Sequence, residues 1–164
     1  MNCIITVGFP ESRWEEYKTI RMQALKEVPQ AFLDDIDRAE KEPTSFWIER
    51  AKNVTFAEVN GKVVGIVGFY QEEKTKQRHI ANLVGVYVLP EHRGKKIGYE
   101  LVVRVLDEIK KNPEITVIQL GVVATQQKAL QLYTSLGFVE VGKLKFAVKV
   151  GDTYFDEYLM QLYL

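Results

Sequence analysis

The chain has 164 residues, 46% of them hydrophobic, enough for one domain spanning residues 1–164 with a core that needs no covalent staples. Its 22 Lys and Arg balance 22 Asp and Glu, so no net field draws it to nucleic acid or to an anionic membrane, and any anion binding must be local. The single cysteine, Cys3, rules out an intramolecular disulfide framework and suits a reducing cytoplasm; no cationic start marks a signal peptide, and no apolar stretch is long enough to span a bilayer.

Residues 4–7 read as a short first strand. Ser12 followed by Glu15 has the capping-box pattern, and Trp14, Tyr17, Ile20, Leu25 and Val28 then mark an apolar helix stripe that stops at Pro29. A loop, PQAFLDDID, leads to a second helix around residues 46–51. Its acids Asp34, Asp35 and Asp37 read as a solvated face, and Phe32 and Trp47 as core or loop anchors. Residues 54–59 and 62–71 are two strands joined by Asn60-Gly61, the strongest short hairpin signal. A polar turn, in which Glu72 and Glu73 are turn charges and His79 is solvated, precedes a central strand over residues 79–89. A helix from Gly98, ended by Asn112-Pro113, crosses over to a parallel strand at 115–123, then a helix at 126–136. Strands at 138–150 and 153–164 bracket the turn Gly151-Asp152. The order predicts an α+β fold with three layers around a mixed sheet.

The chemistry concentrates in LVGVYVLPEHRGKKIGYELVVRVL, residues 83–106. A buried strand is stopped by Pro90, and Leu101, Val102, Val105, Leu106 and Ile109 recur at helical spacing beyond Gly98. Between them a turn with Gly94 and Gly98 and the cations Arg93, Lys95 and Lys96 empties into the helix start. Unpaired backbone N–H groups and the positive end of the helix dipole converge there, which makes an anion site best matched to phosphate.

VYVLPEHRGKKIGYEL resembles the acyl-CoA-binding motif of the GNAT superfamily of N-acetyltransferases, Arg or Gln, two residues, Gly, one residue, then Gly or Ala. Arg93 and Gly98 fit the first and last places; Lys96 stands where the family usually has Gly, and is expected to adopt an ordinary helical φ with its amide still available. A second block, TQQKALQLYTSLGF, resembles the family's Asn-x-x-Ala-x-x-Leu-Tyr-x-x-x-Gly-Phe at Ala129, Leu132, Tyr133, Gly137 and Phe138, with Gln126 in place of Asn. By itself Tyr133 reads as a core-facing helix aromatic; the two blocks together favour a functional role.

The resemblance implies a GNAT-like three-layer α/β/α fold whose mostly antiparallel sheet splays at the acyl-CoA site. It implies acetyl-CoA as co-substrate, with the backbone of Val86, Tyr87 and Val88 pairing with the pantetheine arm and the stretch Arg93, Gly94, Lys95, Lys96, Ile97 and Gly98 receiving the pyrophosphate. Gln126 would touch the cofactor and Tyr133 would assist the departing thiolate; an amine acceptor would attack directly, with no metal. Asn82 stands where some members carry a glutamate base and cannot take a proton, so removal of the amine proton through water is expected. His92 is read as supporting the turn. A small amine metabolite is the expected acceptor, with a protein N-terminus or lysine as alternative, and a homodimer is implied by analogy alone. The rival reading is a non-catalytic acyl-CoA sensor. Nucleic-acid binding through RGKK offers too few phosphate contacts, and no P-loop spacing is present.

Overall fold

The computed structural model describes residues 3–164. Seven strands, β1 (Cys3–Val7), β2 (Val54–Val59), β3 (Lys62–Gln71), β4 (Ile80–Val88), β5 (Val117–Val123), β6 (Val139–Val150) and β7 (Thr153–Tyr163), form one sheet. Its order is β1-β2-β3-β4-β5-β7-β6, antiparallel throughout except for β4 and β5, which run parallel because a helix crosses between them.

Helices cover both faces. On one side α4 (Ile97–Ile109) sinks Ile97, Leu101, Val102, Val105, Leu106 and Ile109 into the larger core, joined by Tyr133 of α5 (Gln127–Ser135) and by Phe138. On the other, α1 (Trp14–Glu27), the short α2 (Ile36–Glu40) and α3 (Thr44–Ala51) close a second core of Tyr17, Ile20, Trp47, Phe56, Ile66 and Tyr87. The expected α+β three-layer arrangement is the one observed, with each amphipathic helix burying its apolar stripe against one face of the sheet.

The hairpin turns follow their sequences: Asn60 and Gly61 both take positive φ, 52° and 75°, as a two-residue turn between right-twisted strands requires. Three local expectations are corrected. Ser12 does not cap α1, because residues 11–13 already form a tight helical turn after Pro10, and α1 begins at Trp14 with Arg13 at its boundary. The loop after Pro29 contains α2, capped by the Asp35 carboxylate, which accepts the Arg38 N–H at 3.0 Å. Lys96 is not helical: it holds φ 63°, a left-handed conformation at the entry to α4, where glycine would be unstrained.

Candidate active site

β4 and β5 pair only at Ile80, Ala81 and Asn82, opposite Val117, Ile118 and Gln119. Beyond Asn82 the strands part, so Val86, Tyr87 and Val88 lack a partner strand on the β5 side, while Tyr87 and Val88 remain paired with Ile66 and Gly65 of β3. A bulge sits in β4 at this opening, where Gly85 takes φ 68° and bends the strand. The opening leads into a cavity of about 530 Å³, in the range of small-ligand sites.

Of the candidate catalytic and cofactor-binding residues, Val86, Gln126 and Tyr133 line this cavity. Tyr133 is 7% exposed, packs edge-on against Phe138 at 5.8 Å, and burial pushes its phenol well above the ordinary tyrosine range, so the hydroxyl stays protonated. Gln126 sits at the entry to α5, with no side-chain bond to the helix end. Tyr87 turns the other way, into the second core, and offers the opening only its backbone.

The glycine-containing turn lies just past β4. After the short helical turn Pro90–His92, Gly94 (φ 76°) and Lys96 reverse the chain into α4, whose first amides have no intrahelical acceptor. Arg93 is engaged within the fold. Its N–H bonds the Pro90 carbonyl at 3.2 Å, and its side chain donates to the Val88 carbonyl at 2.9 Å and to Glu27 at 2.7 Å, over the Tyr87 ring. Glu27, the last residue of α1, also accepts the Tyr87 hydroxyl. Burial acts to raise the Glu27 carboxyl, but the Tyr87 and Arg93 bonds outweigh it and hold the group below the usual range. Arg93 therefore clasps the turn to α1. Lys95 bonds the Glu91 carbonyl at 2.8 Å, and Ile97 is a core residue at the helix start. Gly98 has ordinary neighbours: a Cβ there would lie 3.6 Å from Val88 and 3.9 Å from Leu132.

Asn82 is 9% exposed and fully engaged, donating to Glu72 at 2.8 Å and accepting from Gln119 at 2.9 Å. Glu72 is thus the anchor of an amide ladder rather than a free turn charge, and His79 is exposed, as expected. Asp34 departs from the solvated-face reading: one carboxylate oxygen accepts from both Arg21 at 2.5 Å and Arg50 at 2.8 Å, at the cavity wall. Burial raises its pKa, the two guanidiniums lower it by more, and the carboxyl stays below the usual range.

Sequence reasoning passed over Arg21, Arg50 and Glu157, which also line the cavity. Arg21 lies in an otherwise apolar helix stripe and Glu157 on the same strand face between Phe155 and Leu159, so a charge inside an apolar pattern was the available signal.

A parallel pair that parts beside a glycine-containing helix entry, with a buried tyrosine in the gap, is a geometry able to take an extended, phosphate-bearing ligand. Residues 11–138 match the model of the Acetyltransferase (GNAT) family, and the chain belongs to that family. It is 33% identical over 112 residues to an L-amino acid N-acyltransferase of Escherichia coli, a match covering 68% of this chain and 64% of the relative's length. An N-alpha-acetyltransferase of Sulfurisphaera tokodaii is 28% identical, with 93% of this chain and 96% of that protein covered. Among solved structures, a GNAT acetyltransferase from Streptococcus pneumoniae superposes with a TM-score of 0.84 at 22% identity, covering 99% of this chain and all of that one. A putative acetyltransferase from Salmonella typhimurium, solved with acetyl-CoA, gives 0.82 at 23% identity over 99% and 94% of the two chains. These likenesses establish the fold.

Proposed function

We propose that this protein transfers an acetyl group from acetyl-CoA to the primary amine of a small acceptor, in the cytoplasm and without a metal. The opening between β4 and β5 carries the reading. On the side where β4 has no partner strand, the backbone of Val86 and the N–H of Val88, whose carbonyl is held by Arg93, suit the amides of a pantetheine arm, and the α4 entry beyond them suits its pyrophosphate. The structure of the Salmonella relative with acetyl-CoA supports the same choice of ligand.

In this scheme the amine attacks the thioester carbonyl directly, and a β4 backbone N–H polarises the carbonyl oxygen as charge develops. Tyr133 lines the cavity with its phenol held neutral by burial. That raised pKa makes full proton transfer to a thiolate more uphill, so the tyrosine acts chiefly as a hydrogen-bond donor to the departing sulfur. The cavity's volume of about 530 Å³, with charged side chains on its wall, suits a small acceptor. The test is thiol release from acetyl-CoA against amines, amino acids, polyamines and short peptides, with CoA binding followed by calorimetry. Turnover of a small amine supports the reading. Tight CoA binding without turnover on any member supports the sensor instead, turnover of peptides alone moves the acceptor to protein N-termini, and no CoA binding removes the assignment.

A further inference from the structure

The two lips of the opening each carry a glycine with a charged side chain lying over it. On β4, a Cβ at Gly85 would come within 3.4 Å of the Arg21 Nη1. On β5, a Cβ at Gly121 would lie 2.5 Å from the Glu157 carboxylate, which reaches across from β7. Gly85 is three residues beyond the last paired position of β4 and Gly121 two beyond that of β5, so a cation and a carboxylate face one cavity from opposite sides of the gap.

Neither pole is spent. Asp34 shares one oxygen between Arg21 and Arg50, which leaves a net positive charge at that end. Arg21 is only 6% exposed, and its ring partner Phe32 holds the guanidinium at 4.6 Å. Two guanidiniums sharing one carboxylate oxygen suit a further anion. Glu157 forms no ion pair among the described residues, and burial alone pushes its carboxyl up. Its ladder partners Val123 and Leu144 carry no charge; the titratable groups sharing its cavity include Tyr133 of α5, Arg21 of α1, Asp34, and Arg50 of α3.

We infer that the acceptor is a free amino acid bound across the opening, its carboxylate at Arg21 and its amine at Glu157, and that Glu157 accepts the proton as the amine attacks. This rests on the acetyl-transfer reading above. The amine nitrogen bonds to the thioester carbonyl carbon and the carbon–sulfur bond breaks. The proton lost by nitrogen passes to Glu157 and then to water, and the thiolate, hydrogen-bonded to Tyr133, is protonated from solvent. A plain alkylamine would leave the Arg21 end unpaired.

The test compares free amino acids with their carboxamides and with alkylamines, in the wild type and in Glu157→Gln. Free acids should exceed their amides at least tenfold in kcat/KM. Glu157→Gln should lower kcat about 100-fold, leave acetyl-CoA affinity unchanged, and abolish the acid limb of the pH profile. Gly121→Ala, which pushes the carboxylate aside while leaving it present, should lower kcat in the wild type and have no further effect on Glu157→Gln. Equal turnover of acids and amides, or an acid limb that survives in Glu157→Gln, overturns the inference while acetyl transfer stands. No thiol release with any compound overturns both.

Discussion

Residues 90–98 present the backbone of one contiguous stretch, whereas the cavity beside the parted strands draws Arg21, Asp34, Arg50, Tyr133 and Glu157 from five separate segments. The first is specified by turn chemistry: a proline that stops a strand, a glycine in the left-handed region and a helix start whose amides are unpaired by construction. The second exists only because α1, α3, α5 and β7 meet over the parted strands. A binding element made of backbone tolerates side-chain changes that avoid its surface, while a cavity made of side chains fails when any one of them moves.

The largest test of that contrast is Gly98→Glu. A Cβ at this position meets only ordinary contacts, so the fold should persist, but the added carboxylate lies at the phosphate end of α4. Calorimetry should record at least a ~100-fold loss of acetyl-CoA affinity, about 2.7 kcal/mol. Retained micromolar-class binding would remove the turn from the cofactor site. Tyr133→Phe acts on the other region: kcat should fall about 10- to 100-fold through loss of one hydrogen bond to the leaving sulfur, with acetyl-CoA affinity within about twofold. An unchanged kcat would return Tyr133 to a packing role.

Asp34→Asn should separate stability from cofactor binding. Leaving Arg21 buried without its carboxylate partner should cost about 1–3 kcal/mol, discounted because Asp34 and Arg50 are partly solvated. The Asp34 carboxyl titrates below its ordinary value of 3.8 in the folded protein. Its stabilisation is therefore complete above that pH and is lost as pH falls through the lowered value, so the gap in melting temperature between wild type and variant should be wide at pH 7 and close progressively as pH falls below 3.8. A gap independent of pH would mean the carboxylate charge is not what stabilises Arg21. The smallest effect is expected from Lys96→Gly: relief of a left-handed lysine outweighs the added freedom of the unfolded chain, for a gain of up to about 1 kcal/mol and a few degrees in melting temperature. A loss of stability would show that the Lys96 side chain holds the turn.

The boundaries of β2 and β3, the Asn60-Gly61 hairpin and the apolar face of α4 were legible because each is encoded within ten or so neighbouring residues, in period and in turn type. The left-handed Lys96 was not, since a residue without glycine's freedom gives no local sign that the chain must turn there. Asp34 was misread for a related reason: three acids in a loop look alike until the fold brings Arg21 and Arg50 to one of them and a helix end to another.

By itself, then, the sequence determined the α+β order of elements and the glycine-containing entry to α4, because periodicity, proline and glycine act over short range; the parting of the central strands came from the family resemblance. Which charges face the cavity was decided by tertiary structure alone. Arg21 and Glu157 are 136 positions apart, and only the packing of α1 against one side of the sheet and the antiparallel return of β7 beside β5 bring a guanidinium and a carboxylate to the two lips of one gap.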